Sequence, residues 1–116
     1  MGIAFNFIKS ALKIKAPKPA STPHPNGWRV WFEEDGRSGR IGFEGEGRSF
    51  SMYFEFGGGD VVVIIDVPPP AKWEVQTHIL LEKRLPILNF VGSETVRQKA
   101  SGCRYELSDN AIYILT

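Results

Sequence analysis

Arg48-Ser49-Phe50-Ser51-Met52-Tyr53-Phe54-Glu55-Phe56, then Gly57-Gly58-Gly59-Asp60, then Val61-Val62-Val63-Ile64-Ile65-Asp66-Val67, is the stretch that decides the fold. Phe50, Met52, Phe54 and Phe56 alternate with Ser49, Ser51, Tyr53 and Glu55, the period-two pattern of a strand with one buried face. The glycines and Asp60 mark a turn. Val61–Val67 is apolar on both faces, as expected of a strand covered on both sides. Pro68-Pro69-Pro70 stops it.

The same period extends upstream. Trp28, Val30 and Phe32 share one strand face, and Arg29, Trp31 and Glu33 share the other. Asp35-Gly36 with Gly39 reads as a turn. A second strand then carries Ile41 and Phe43 on one face and Arg40, Gly42 and Glu44 on the other, ending at Gly45-Glu46-Gly47. Short connections make the four strands an antiparallel meander.

Downstream the period becomes helical. Leu81–Ala100 predicts the main helix, with Leu85, Leu88, Val91, Gly92 and Val96 facing inward and Glu82, Lys83, Arg97 and Lys99 outward. Pro86 is tolerated in a first turn that starts near Glu82, Thr77 offers an earlier cap, and Gly102 offers a stop. Arg104–Leu107 and Ala111–Leu115 flank Ser108-Asp109-Asn110 as a hairpin. The expected fold class is α+β: an antiparallel four-stranded meander, one main helix packed on one face, and a C-terminal β-hairpin. The helix is expected to cover the face carrying Trp28, Phe43, Phe54 and Val63.

Residues 27–116 thus make one α+β domain, and residues 1–26 read as a basic amphipathic arm with a Pro-rich linker. Ile3, Phe7, Ile8, Ala11 and Leu12 recur at helical spacing, while Pro17, Pro19, Pro23 and Pro25 break any helix. The chain has 116 residues and a net charge of +1, but Lys9, Lys13, Lys15 and Lys18 fall in the arm and no acid does. The remainder therefore has a net charge of −3. No global basic field argues for nucleic acid. The arm could dock on protein, or touch anionic lipid through Lys9, Lys13 and Lys15.

Chemistry is sparse. His24 and His78 have no metal-ligand spacing, and Cys103 cannot form an internal disulfide or a Cys-based cluster. Cys103 beside Gly102 reads as a small packed residue. Glu44 and Glu46 fit an exposed acidic strand end, and Asp66 is the carboxylate whose apolar neighbours would make burial consequential. Gly45-Glu46-Gly47 and Gly57-Gly58-Gly59 are turns, since neither has a phosphate-binding context. The expectation is a protein that is not an enzyme, with no cofactor and no metal.

The second sheet face remains. Trp31, Glu33, Glu44, Tyr53, Glu55, Val62 and Ile64 would share it, a mixture of aromatic, acidic and aliphatic groups of the kind found at protein interfaces. The arm, a second copy or a foreign partner would cover it.

Residues 40–107 resemble small immunity proteins of bacterial polymorphic-toxin systems. The resemblance rests on Arg40-Ile41-Gly42-Phe43-Glu44-Gly45-Glu46, the apolar strand ending near Val67, Trp73 after the prolines, Leu81-Glu82-Lys83-Arg84 with Ile87-Leu88, and Gly102-Cys103-Arg104-Tyr105-Glu106-Leu107. Pro86 and the arm before Gly27 depart from that pattern. The resemblance implies a cytoplasmic bacterial protein that neutralises a toxin by direct binding. It transfers no contact residues. A different reading is an assembly component held at a membrane or complex by its arm.

Overall fold

Alternation on this scale can be satisfied only by a sheet that hides one face, and the chain builds one. The computed structural model describes residues 27–116. The strands are β1 (Arg29–Asp35), β2 (Ser38–Gly45), β3 (Arg48–Phe56) and β4 (Val61–Asp66). Then come helix α1 (Pro70–Thr77), a single 3-10 turn (Leu81–Lys83), helix α2 (Arg84–Lys99), β5 (Arg104–Leu107) and β6 (Ala111–Leu115). The arm and linker expected over residues 1–26, including Lys9, Lys13 and Lys15, lie outside the described residues.

The meander is present. Two-residue loops join β1 to β2 and β2 to β3, with Val30 opposite Phe43 and Phe43 opposite Phe50. Glu46 and Gly47 both have positive φ, as a primed hairpin turn requires. The final hairpin joins the same sheet: β6 lies between β4 and β5, giving the order β1-β2-β3-β4-β6-β5. All neighbours run antiparallel. Apolar strands β4 and β6 therefore take interior places.

One face carries the core. Val30, Phe32, Ile41, Phe43, Met52, Phe54, Val63, Ile65, Ile112 and Ile114 are buried there against Ile87, Leu88, Phe90 and Val91 of α2. Trp28, Phe43 and Phe90 meet edge to face at centroid distances of 5.5–6.3 Å. Gly92 sits so close to the ring of Tyr105 that a Cβ would overlap it, which lets α2 lie tightly on β5.

Three expectations for the helical region need correction. Helix α1 was not anticipated, because three prolines read as a stop. Pro70 instead occupies the first helical position, where its missing N–H costs nothing. Its payload is Trp73, fully buried, stacked edge to face with Phe50 at 5.4 Å and donating its indole N–H to the Leu80 carbonyl at 3.2 Å. Thr77 closes α1 and caps no later helix: its hydroxyl donates to the Trp73 carbonyl and accepts from the Ile79 N–H. Finally, Leu85 points outward and Lys99 inward. The Lys99 ammonium lies 5.3 Å from the centroid of the Phe32 ring, and burial lowers its pKa while the Glu34 carboxylate partly offsets that effect.

Candidate functional site

With the helices on one side, the opposite face of the sheet presents the alternate residues of every strand. Cross-strand register arranges them in rows. Arg29 is opposite Glu44, which is opposite Ser49; Trp31 is opposite Gly42, which is opposite Ser51. Glu33 is opposite Arg40, which is opposite Tyr53. Glu55 is opposite Ile64, which is opposite Tyr113 and then Glu106. The face is polar and charged over β1–β3 and becomes apolar over β4 and β6, where Ile64, Tyr113 and Leu115 are half-buried.

Six of the seven residues singled out from sequence share this face. Trp31 lies flat along the sheet because Gly42 has no side chain; a Cβ there would overlap the indole. Its indole N–H is buried and has no hydrogen-bond acceptor among the described residues. Trp31 and Glu44 border a shallow hollow of about 250 Å³ with Ser49 and Ser51. Glu33 and Tyr53 border a larger one of about 420 Å³, together with Asp35, Ser38 and Arg40. Glu55 is exposed beside Ile64.

Val62 is the exception. The register slips between Val61 and Val63, which pair with Leu115 and Ile114, so Val62 is the extra residue of a bulge and is only 5% exposed. It offers no surface to a partner.

The other residues considered for chemistry stand apart. Asp66 and His78 are exposed, so the burial that would have made Asp66 unusual is not found. Cys103 is half-buried, and burial raises the pKa of its thiol, which disfavours the nucleophilic thiolate. Among the described residues no three His, Cys, Asp or Glu side chains gather as a metal site. No described helix is long and apolar enough to cross a membrane.

A second surface escaped the sequence reading. Among the described residues the exposed large apolar side chains are Tyr53 on the sheet and Val75, Leu80, Leu81 and Leu85 around the junction of α1 and α2. Leu80 and Leu85 are 62% and 57% exposed, and Leu81 and Leu85 line a cleft with Pro70, Glu82 and Arg84. The Glu74 carboxylate holds the junction by accepting the Leu81 N–H at 2.7 Å. The signal was there in His78-Ile79-Leu80-Leu81, whose apolar run is too long for the single buried side chain of Ile79.

No protein-family model matches the chain, and comparison with curated proteins and with solved structures found no match.

Proposed function

We propose that this chain is a non-enzymatic protein-binding module whose partner docks on the open face of the sheet. The observation that carries the reading is the set of large side chains Trp31, Tyr53, Ile64 and Tyr113 among Arg and Glu residues on that face. A merely solvated antiparallel sheet is satisfied by polar groups alone. Partly exposed aromatics ringed by charge are instead the composition of an interface centre and its rim. The resemblance to immunity proteins gives the reading its specific form, in which the partner is a bacterial toxin and binding neutralises it. The net charge of −3 over residues 27–116 suits a basic toxin domain, chiefly by accelerating encounter.

One observation favours a second contact surface: the exposed leucines at the α1–α2 junction form an apolar cluster of a kind that monomers seldom leave uncovered. The two surfaces are separable. Partners captured with the full chain are identified, and the affinity of each is measured against Tyr53→Ala, Trp31→Ala and the pair Leu80→Ser/Leu85→Ser. Tyr53→Ala is the cleaner probe, because Trp31 also shields the Gly42 backbone. The sheet-face reading expects the aromatic substitutions to weaken binding by tenfold or more, about 1.4 kcal/mol. Unchanged affinity in both aromatic variants, with loss in the leucine pair, would transfer the site to the junction.

A further inference from the structure

The sheet ends at β5, on the side away from β1. Ser108 donates its N–H to the Ala111 carbonyl at 2.8 Å. In an antiparallel ladder hydrogen-bonded pairs alternate, so Glu106 and Arg104 are the residues of β5 whose backbone faces β6. The N–H and C=O groups of Tyr105 and Leu107 point out of the sheet. Among the described residues none bonds to them. Such an edge is a template for another strand.

Charge selects which strand. The open-face side chains of β5 are Arg104 and Glu106, paired along the strand at 2.6 Å and each more than half exposed. A second copy laid antiparallel with Tyr105 opposite Tyr105 places each Arg104 opposite the partner's Glu106. A shift of two residues in total register either way sets Arg104 against Arg104 or Glu106 against Glu106, which is repulsive. An odd shift puts core-facing residues opposite outward ones. One register survives.

Two independent features fit that register. The outward backbone groups of Tyr105 can exchange both hydrogen bonds across the two-fold axis, as a hydrogen-bonded antiparallel pair requires. The same register brings Leu107 of one copy opposite the partner's Cys103, on the helical side of the sheet. There a groove of about 310 Å³, lined by Ser93, Val96, Arg97, Cys103, Arg104 and Tyr105, opens between α2 and β5. Leu107 is half-buried in the single chain and would fill that groove in the pair.

We propose that this chain associates with a second copy through antiparallel β5–β5 pairing centred on Tyr105, so that one sheet runs through the dimer. The strand is short, so the interface belongs to the small, concentration-dependent class.

Sedimentation equilibrium of the full chain from micromolar to millimolar concentration tests it. A monomer–dimer equilibrium is expected. Arg104→Glu and Glu106→Arg should each weaken it by about tenfold or more, and the double reversal should restore it, since opposite charges again face each other. Both side chains are exposed, so the folded monomer survives these changes. Hydrogen exchange of the unaltered chain supplies a readout free of substitution: the Tyr105 amide should gain protection as concentration rises. A monomer at every concentration, single variants that dimerise as tightly as the parent, or a double reversal that fails to recover would each overturn the proposal.

Discussion

Arg84 ties three parts of the molecule together from a nearly buried position. Its Nε donates to the Pro68 carbonyl at 3.0 Å and its Nη2 to the Asp109 carbonyl at 2.7 Å, while the guanidinium stands 6.0 Å from the centroid of the Trp73 ring. One side chain thus joins the start of α2 to the exit of β4 and to the β5–β6 turn. Burial lowers its pKa and the Asp109 carboxylate partly restores it, yet it stays charged across the physiological range. Arg84→Ala would strand two carbonyls and should cost roughly 2–4 kcal/mol in urea unfolding. Arg84→Lys should recover little, because an ammonium cannot reproduce the forked geometry. A loss below half a kcal/mol would show the bonds to be idle. No pattern in the sequence marks Arg84 for the interior, because its partners are backbone carbonyls 16 and 25 positions away. Lys99 was equally hidden: a helical wheel puts it outside, but the residue is buried and its ammonium lies over the Phe32 ring.

At the level of elements, periodicity was enough for the strands and only half enough for the helix. Each of β1–β3 needs nothing beyond its own alternation and its turn, so their faces were legible, and β4 was legible as an apolar strand. In α2 the inward stripe is Ile87, Leu88, Phe90, Val91, Gly92 and Thr95, which keeps Leu88, Val91 and Gly92 of the expected stripe but leaves Leu85 outside. The reason is the entry: the 3-10 turn at Leu81–Lys83 and the buried Arg84 rotate the helix so that Leu85 faces solvent. Leu88→Ala should therefore cost about 2–5 kcal/mol, whereas Leu85→Ala should stay within about 0.5 kcal/mol, both read from denaturant midpoints. Equal losses would mean that the exposed leucines at the junction are packed in solution. Of the candidate face, the strand alternation disclosed Trp31, Glu33, Glu44, Tyr53, Glu55 and Ile64. It misplaced Val62, since a bulge is decided by pairing with β6 and leaves no local mark.

The whole molecule is one sheet whose pairings are mostly between neighbours in sequence, with a single long-range seam. β4 meets β6 across an interval that contains both helices and β5. That seam could not be read from the chain, because any strand with apolar faces could have taken the place beside β4. It is also the part on which the rest depends. Ile112 and Ile114 are fully buried against β4 and the helix layer, and β5 reaches the sheet only through β6. Ile114→Ala should cost about 2–5 kcal/mol and leave unfolding a single transition, with tryptophan fluorescence and far-ultraviolet circular dichroism coincident. Two separated transitions would mean that the meander and the seam are independent units. The insertion of β6 between earlier strands bears on synthesis as well. While a ribosome is still making the chain, β4 has no lasting neighbour on one side, and its valines and isoleucines stay open until Leu115 clears the exit tunnel. Until then the nascent sheet is exposed to capture by chaperones or by another unfinished chain, and the seam closes only after both helices and β5 have emerged.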